Sequence, residues 1–361
     1  MKILVACSTI DFKNFVRRAT LEAIWKKNPQ TDFLFYTGVK NIFKEKKTIE
    51  GSSFYSYHFW IPEKFKQNKL LSKLEYALRS WKWPRYFNQY EVVFLSDPNQ
   101  YYLLPFLGKQ KVVYLLRDPN VLLGKNNYPK ERKIIKRADL IFAISTQLKE
   151  YYLKHFYNFT ESNVVLWPNS VDLNIWNYEK YSFSKKYPRP TAGISGNLTF
   201  KTDIDLLDFL TNQLKEVNFV IIGKNLLPQP EKIRFERILD RKNVSYLGYL
   251  PLEEVPSEVI KWHVGLQIEK KDMEFSRYYN ANKVFQYMAL GLPTVKLRYN
   301  NDLAGYEDII YEAETFNDFK EMIEQAIKLG AMNGDKILNK AQQSSSEKRA
   351  EEFLICLNSL K

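Results

Sequence analysis

The sequence predicts an α/β protein built from two doubly wound halves, and three observations carry that prediction. Short apolar, β-branched runs alternate with amphipathic helical segments, as in parallel sheets covered on both faces. The alternation lapses over residues 173–190, where tyrosines, lysines and prolines fill a stretch without period, and then restarts at Thr191. The length of 361 residues suits two domains of ordinary size. The expected division is a first domain over 1–180, a second over 190–345, and a C-terminal helix over 346–361 that packs back across the interface.

In the first half, the run beginning Lys2-Ile3 predicts a buried strand, and residues 13–27, with Phe15, Val16, Ala19, Ala23 and Ile24 on one side, the helix after it. The strand from Asp32 to Tyr36 follows as a parallel neighbour through a right-handed crossover. The turn from Cys7 to Asp11 lacks the glycines of a dinucleotide fingerprint, which argues against a nicotinamide or flavin enzyme. The stretch from Lys64 to Arg85 is aromatic and basic. It sets Leu70, Leu74, Ala77, Leu78 and Trp81 in a stripe beside Lys69, Lys73, Lys82 and Arg85, a pattern that fits a membrane-interface helix or a helix facing the core. Further strands are expected at 91–95, 111–116, 140–144 and 164–166. Asp118 lies past the carboxyl end of the 111–116 run, where open α/β sheets bind ligands, and it is a candidate base or a turn residue before Pro119.

In the second half, strands are expected at 191–195, 218–222, 244–247, 264–268 and 294–297, with helices between them. The run Gly196-Asn197-Leu198-Thr199-Phe200-Lys201 follows the first strand. Its glycine permits close backbone approach, the helix after it can hold phosphate oxygens, and Lys201 can neutralise them. Residues 280–293, NANKVFQYMALGLP, set Ala281, Val284, Phe285, Met288 and Ala289 at helical spacing and turn Asn282, Lys283, Gln286 and Tyr287 largely the other way. Gly291 and Pro293 stop this helix before a buried strand. It reads either as an anion-binding helix start armed with Lys283 or as an ordinary amphipathic helix. The tail over 336–360 reads as helical.

The formal net charge of +13 favours an anionic partner, whether nucleic acid, lipid headgroups or a phosphorylated small molecule, or simply solvates a lysine-rich surface. Two cysteines and three scattered histidines have no metal-ligand spacing, so no metal site is expected. With neither a leader nor an apolar run near the length of a membrane span, the chain is expected in the cytoplasm, with any membrane contact peripheral at the inner face.

With both halves in view, the sequence resembles the group 1 (family 4-like) glycosyltransferases of the GT-B fold. The run from Ala138 to Ser145 looks like the family's "AD-apolar-apolar-apolar-A-x-S" strand, and Trp167-Pro168-Asn169-Ser170-Val171-Asp172 is similar to its "PNGVD" turn. Residues 193–196, 219–223 and 243–248 resemble its domain-opening, "F-apolar-apolar-G" and "N-V-x-x-L-G" strands, and 283–295 its "K-x-x-E-Y-x-A-x-G-x-P-V-V" segment. The resemblance implies two facing Rossmann-like domains and a nucleotide-sugar donor held mainly by the second. It implies donor contacts from Gly196, Asn197, Lys201, Tyr249, Asn282, Lys283, Gln286 and Tyr287, without a metal or a separate cofactor. Tyr278 and Gln286 stand where many members carry paired glutamates, and only Lys201 remains of an Arg and Lys pair.

The function so implied is sugar transfer from a nucleotide sugar to a lipid-linked or surface glycan acceptor, with Asp118 positioning the acceptor hydroxyl and, in an inverting enzyme, deprotonating it. A non-catalytic GT-B binding or activating subunit is the alternative. A DNA-modifying glycosyltransferase is a third reading, disfavoured because no nucleic-acid motif accompanies the charge.

Overall fold

The computed structural model describes residues 1–7, 17–37, 54–58, 70, 83–123, 127–155, 163–278, 280, 282–300, 303, 306–330 and 334–360. The chain divides into two compact units, one of Met1–Pro168 with Arg349–Lys361, the other of Asn169–Lys348.

The first unit holds a parallel sheet of strands β1 (Ile3–Cys7), β2 (Thr31–Thr37), β3 (Phe54–His58), β4 (Val92–Leu95), β5 (Lys111–Leu116), β6 (Leu140–Ala143) and β7 (Val164–Leu166), in the order β3-β2-β1-β4-β5-β6-β7. Ile3 registers with Thr31 on one side and Val92 on the other, so the strand order reverses direction between β1 and β4. Every residue of β1, β4 and β6 is buried, as their uninterrupted apolar runs require. β3 was not among the expected strands. Its aromatic-rich FYSYH sequence suits an edge position beside β2, where aromatic residues favour extended backbone.

The C-terminal segment joins this unit through aromatic packing. Phe353 meets Phe94, Phe142 and Trp167 with ring centroids 5.1, 5.4 and 5.6 Å apart, and the Trp167 indole N–H donates to the Arg349 carbonyl at 2.9 Å.

The second unit repeats the plan with β8 (Thr191–Ser195), β9 (Asn218–Ile222), β10 (Val244–Gly248), β11 (Val264–Gln267), β12 (Thr294–Leu297) and β13 (Ile310–Ala313), ordered β10-β9-β8-β11-β12-β13 and wholly parallel. β13 also went unrecognised in the sequence. One face of the sheet packs on Leu206, Leu210, Phe235 and Phe319, the other on Trp262, Phe285 and Met288. Gly193 is needed for that second face, since a Cβ there would lie 1.9 Å from the Trp262 ring.

One expectation about organisation is corrected. The aperiodic stretch 173–190 is not a boundary linker, because Trp176 and Tyr181 are buried in the core of the second unit. The tail over 336–360 is helical as expected, in two helices, Gly334–Gln343 and Ser346–Asn358, and between them Val171 N donates to Ser344 O and Ser346 N to Val171 O, each at 3.0 Å. No helix among the described residues is long and apolar enough to cross a membrane.

Candidate functional site

In open α/β sheets, ligands settle outside the carboxyl ends of the strands where the strand order reverses. In the second unit that point lies between β8 and β11. β8 ends at Ser195 and turns at Gly196, whose φ of +117° is costly for other residues. Gly196 N donates to Ile222 O at 2.8 Å. Gly223, with φ of +140°, comes so close that a Cβ would sit 2.2 Å from the Gly196 carbonyl oxygen. Asn197 closes the arrangement by accepting Lys224 N–H on Oδ1 at 3.1 Å. Asn197 thus holds the loop in shape, and its exposed side chain stands at the rim.

Lys283 reaches this turn from the helix Asn282–Met288: a Cβ on Gly196 would meet the Lys283 Cε at 2.5 Å and Nζ at 3.0 Å. Its ammonium makes no hydrogen bond or ion pair among the described residues. Burial depresses the Lys283 pKa and the charge of Lys201 depresses it further, against an opposing pull from Glu269. Two ammonium groups therefore repel each other beside a glycine turn. An anion set between them would relieve that repulsion.

Gln286 lies three positions after Lys283 and is half-buried like it, while Val284, Phe285 and Met288 are buried. Asn282 is half-buried at the helix start, and Asn280 just before it is anchored: its Oδ1 accepts Asn169 N–H at 2.8 Å and its carbonyl accepts Asn169 Nδ2 at 2.5 Å. The turn at Pro168-Asn169 thereby fixes where this helix begins. Tyr249 is 61% exposed after β10, with the Lys224 ammonium 4.7 Å from its ring centroid.

Two expected contributions do not hold. Tyr287 does not face a ligand: it is fully buried, packs against Gly265, and its hydroxyl accepts Ser195 N–H at 2.9 Å. It shapes the turn from below. The helix after the Gly196 loop, Ile204–Gln213, offers no anion site at its start, because the Asp203 carboxylate caps it by accepting Leu206 N–H at 2.9 Å. The positive charge at this turn comes from lysines.

The structure gathers Gly196, Lys201 and Lys283 at one turn, with Asn282 and Gln286 on the Lys283 helix and Tyr249 on the β10 side. Glu269, two residues past β11, stands with them and was missed. The signal available in the sequence was an acidic residue at the carboxyl end of a predicted strand. Tyr278, where a glutamate was expected from the resemblance, is a buried tyrosine in the short 3-10 helix Glu274–Tyr278.

Asp118 belongs to the first unit. It is half-buried at the carboxyl end of β5, with Oδ2 accepting Arg117 Nε–H at 2.9 Å, and its backbone carbonyl, not its carboxylate, accepts Asn120 N–H at 2.8 Å. The turn is thus closed by backbone and by Asn120, whose side-chain amide also donates to Glu131 Oε1 at 2.7 Å. Nearby, the Arg17 guanidinium stacks on Trp167 with 4.4 Å to the ring centroid, and burial together with the charges of Arg117 and Arg349 lowers its pKa to about 9. Among the described residues, no group of three or more His, Cys, Asp or Glu side chains is placed to hold a metal ion.

No protein-family model matches the sequence, and no curated protein does. Solved structures do. Sucrose-phosphate synthase from Thermosynechococcus elongatus superposes with a TM-score of 0.71 at 14% identity, covering 100% of this chain and 99% of that one. The lipopolysaccharide outer core galactosyltransferase WaaB gives 0.68 at 14% identity, with 99% of each chain covered. The fold is GT-B. A third GT-B structure, the pneumococcal O-GlcNAc transferase GtfA in complex with UDP and GlcNAc, gives 0.62 at 11% identity over 100% of this chain and 99% of that one.

Proposed function

We propose that this GT-B protein is a glycosyltransferase that holds a nucleotide-sugar donor against the Gly196 turn of its second unit. The observation that carries this reading is Lys283, a half-buried ammonium laid over a positive-φ glycine at the switch point, beside Lys201. A leaving diphosphate there gains charge-assisted hydrogen bonds as the glycosyl bond breaks, without a metal. The GT-B neighbours that carry glycosyltransferase names, one of them bound to UDP and GlcNAc, support the same class.

In this reading the sugar carbon forms its bond to an acceptor hydroxyl as its bond to the diphosphate oxygen breaks. The diphosphate leaves with the electron pair, and the hydroxyl proton passes to Asp118. Gly196, Asn197, Lys201, Asn282, Lys283 and Gln286 surround the diphosphate and ribose, and the exposed Tyr249 ring stacks on the base. Incubation with a panel of sugar nucleotides tests it: the expected result is release of nucleoside diphosphate from one donor. Absence of both turnover and nucleotide binding across the panel would overturn it.

The acceptor is a lipid-linked or surface glycan met at the inner face of the membrane, a reading that rests on the charge of +13 and on the basic stretch 64–85. That stretch lies, Leu70 and residues 83–85 apart, outside the described residues. Cosedimentation with anionic vesicles at low salt, lost at high salt and in a Lys69, Lys73 and Lys82 to glutamate variant, is the expected outcome. No sedimentation by the wild type would make the acceptor soluble.

A second reading, a non-catalytic binding or activating subunit, is favoured by one observation, the uncharged Tyr278 and Gln286 in place of paired glutamates. Glycan or partner binding without donor consumption in the same panel would select it.

A further inference from the structure

Glu269 has no part in the resemblance or in the mechanism above, yet its backbone is fixed at the site. β11 neighbours β8 across the switch point, and Glu269, two residues past β11, forms an antiparallel bridge with Thr202 at the end of the Gly196 loop. Asp203 N donates to Ile268 O and Lys270 N to Lys201 O, each at 2.8 Å, and Tyr299 OH donates to Glu269 O at 2.8 Å. The carboxylate is half-exposed, with Gln267 Nε2 at 3.4 Å from Oε2. Gln267 is 3% exposed, and its Oε1 has no hydrogen-bond partner among the described residues.

Glu269 acts electrostatically on Lys283, yet the two form no ion pair within 4.0 Å. A carboxylate so placed repels a diphosphate, and it suits a part of the donor that presents hydroxyl groups. Strand order says which part. The order β10-β9-β8-β11 sets Tyr249 and Glu269 on opposite sides of the Gly196 turn. With the base at Tyr249 and the diphosphate at Gly196, what reaches Glu269 is the sugar beyond the diphosphate.

We propose that Glu269, backed by Gln267, accepts hydrogen bonds from hydroxyl groups of the transferred sugar and supplies the carboxylate that Tyr278 and Gln286 lack. The assignment rests on the nucleotide-sugar reading of the Gly196 turn. Calorimetric titration with UDP and with UDP-GlcNAc separates the two claims. The wild type should bind both. Glu269→Gln, isosteric and checked for an unchanged Tm, should hold UDP within about twofold and lose about tenfold or more for UDP-GlcNAc, the ratio expected for a lost charged hydrogen bond. Lys283→Ala should weaken both ligands alike. Glu269→Asp, which keeps charge but shortens reach, should fall between wild type and Glu269→Gln. If the wild type binds UDP but Glu269→Gln weakens both ligands equally or neither, the assignment of Glu269 fails while the nucleotide reading stands. If the wild type binds neither of these ligands nor any other member of the sugar-nucleotide panel, both fail.

Discussion

Replacing Gly196 with alanine tests the turn and the lysine together. At φ of +117° a Cβ introduces backbone strain of about 1–2 kcal/mol, and in this place it also meets the Lys283 side chain at 2.5 Å. The Lys283 chain is flexible at its end, so the clash displaces the ammonium and need not unfold the unit. For a unit of this size each kcal/mol shifts Tm by roughly 2–4 °C, which sets the expected fall at about 2–8 °C. Displacing the ammonium removes a charge-assisted hydrogen bond to the donor, about 1–3 kcal/mol, or roughly 5- to 150-fold in nucleotide affinity. Differential scanning calorimetry reads the first quantity and isothermal titration with UDP the second. Gly334→Ala is the control, since a Cβ there meets nothing within 4 Å at the start of a helix, and it should leave UDP affinity unchanged without lowering Tm. A lower Tm for Gly196→Ala with unchanged UDP affinity would refute the placement of the diphosphate beside Lys283.

Other expectations concern charge. Lys283→Ala should weaken nucleotide diphosphate binding by about 1–3 kcal/mol. Because the Lys283 pKa is lowered in the free protein, its proton is lost at lower pH than an ordinary lysine's, and wild-type affinity should fall as pH rises through that lowered value. A pH series of titrations should show this alkaline limb in the wild type and not in Lys283→Ala. Asp118→Asn should cut turnover by roughly 10²–10⁴-fold with Tm nearly unchanged, since the half-exposed Arg117 pair contributes only about 0–1 kcal/mol; equal losses of both would favour a folding role. Glu131 is fully buried and receives Tyr114 OH and Asn120 Nδ2 at 2.7 Å as well as Tyr152 OH, so Glu131→Ala strands three donors. Urea unfolding should show a loss of roughly 2–5 kcal/mol in the first unit.

The fold class and most of the strands were legible in the chain's patterning, because parallel strands buried on both faces are apolar along their length, as β1, β4 and β6 are. β13 escaped because IYEA carries a charge at Glu312 that only the neighbouring strand explains: Lys296, 2% exposed on β12, pairs with it at 2.5 Å. Helical periodicity separated Lys283 and Gln286 from Val284, Phe285 and Met288, but it could not show that Tyr287 is buried, since a residue four positions after Lys283 shares its face and sinks into the core only where a neighbour leaves room. Gly265, distant in sequence, leaves that room. Similarly, Asp203 reads as a helix start from sequence, while whether that start is empty or capped depends on one side-chain torsion. The Asn169 and Asn280 pair, the approach of Gly223 to Gly196 and the place of Glu269 are contacts between segments far apart in the chain. Local patterning records what each residue prefers; which residues meet at the carboxyl edge of a sheet is decided by strand order, and strand order exists only in the folded protein.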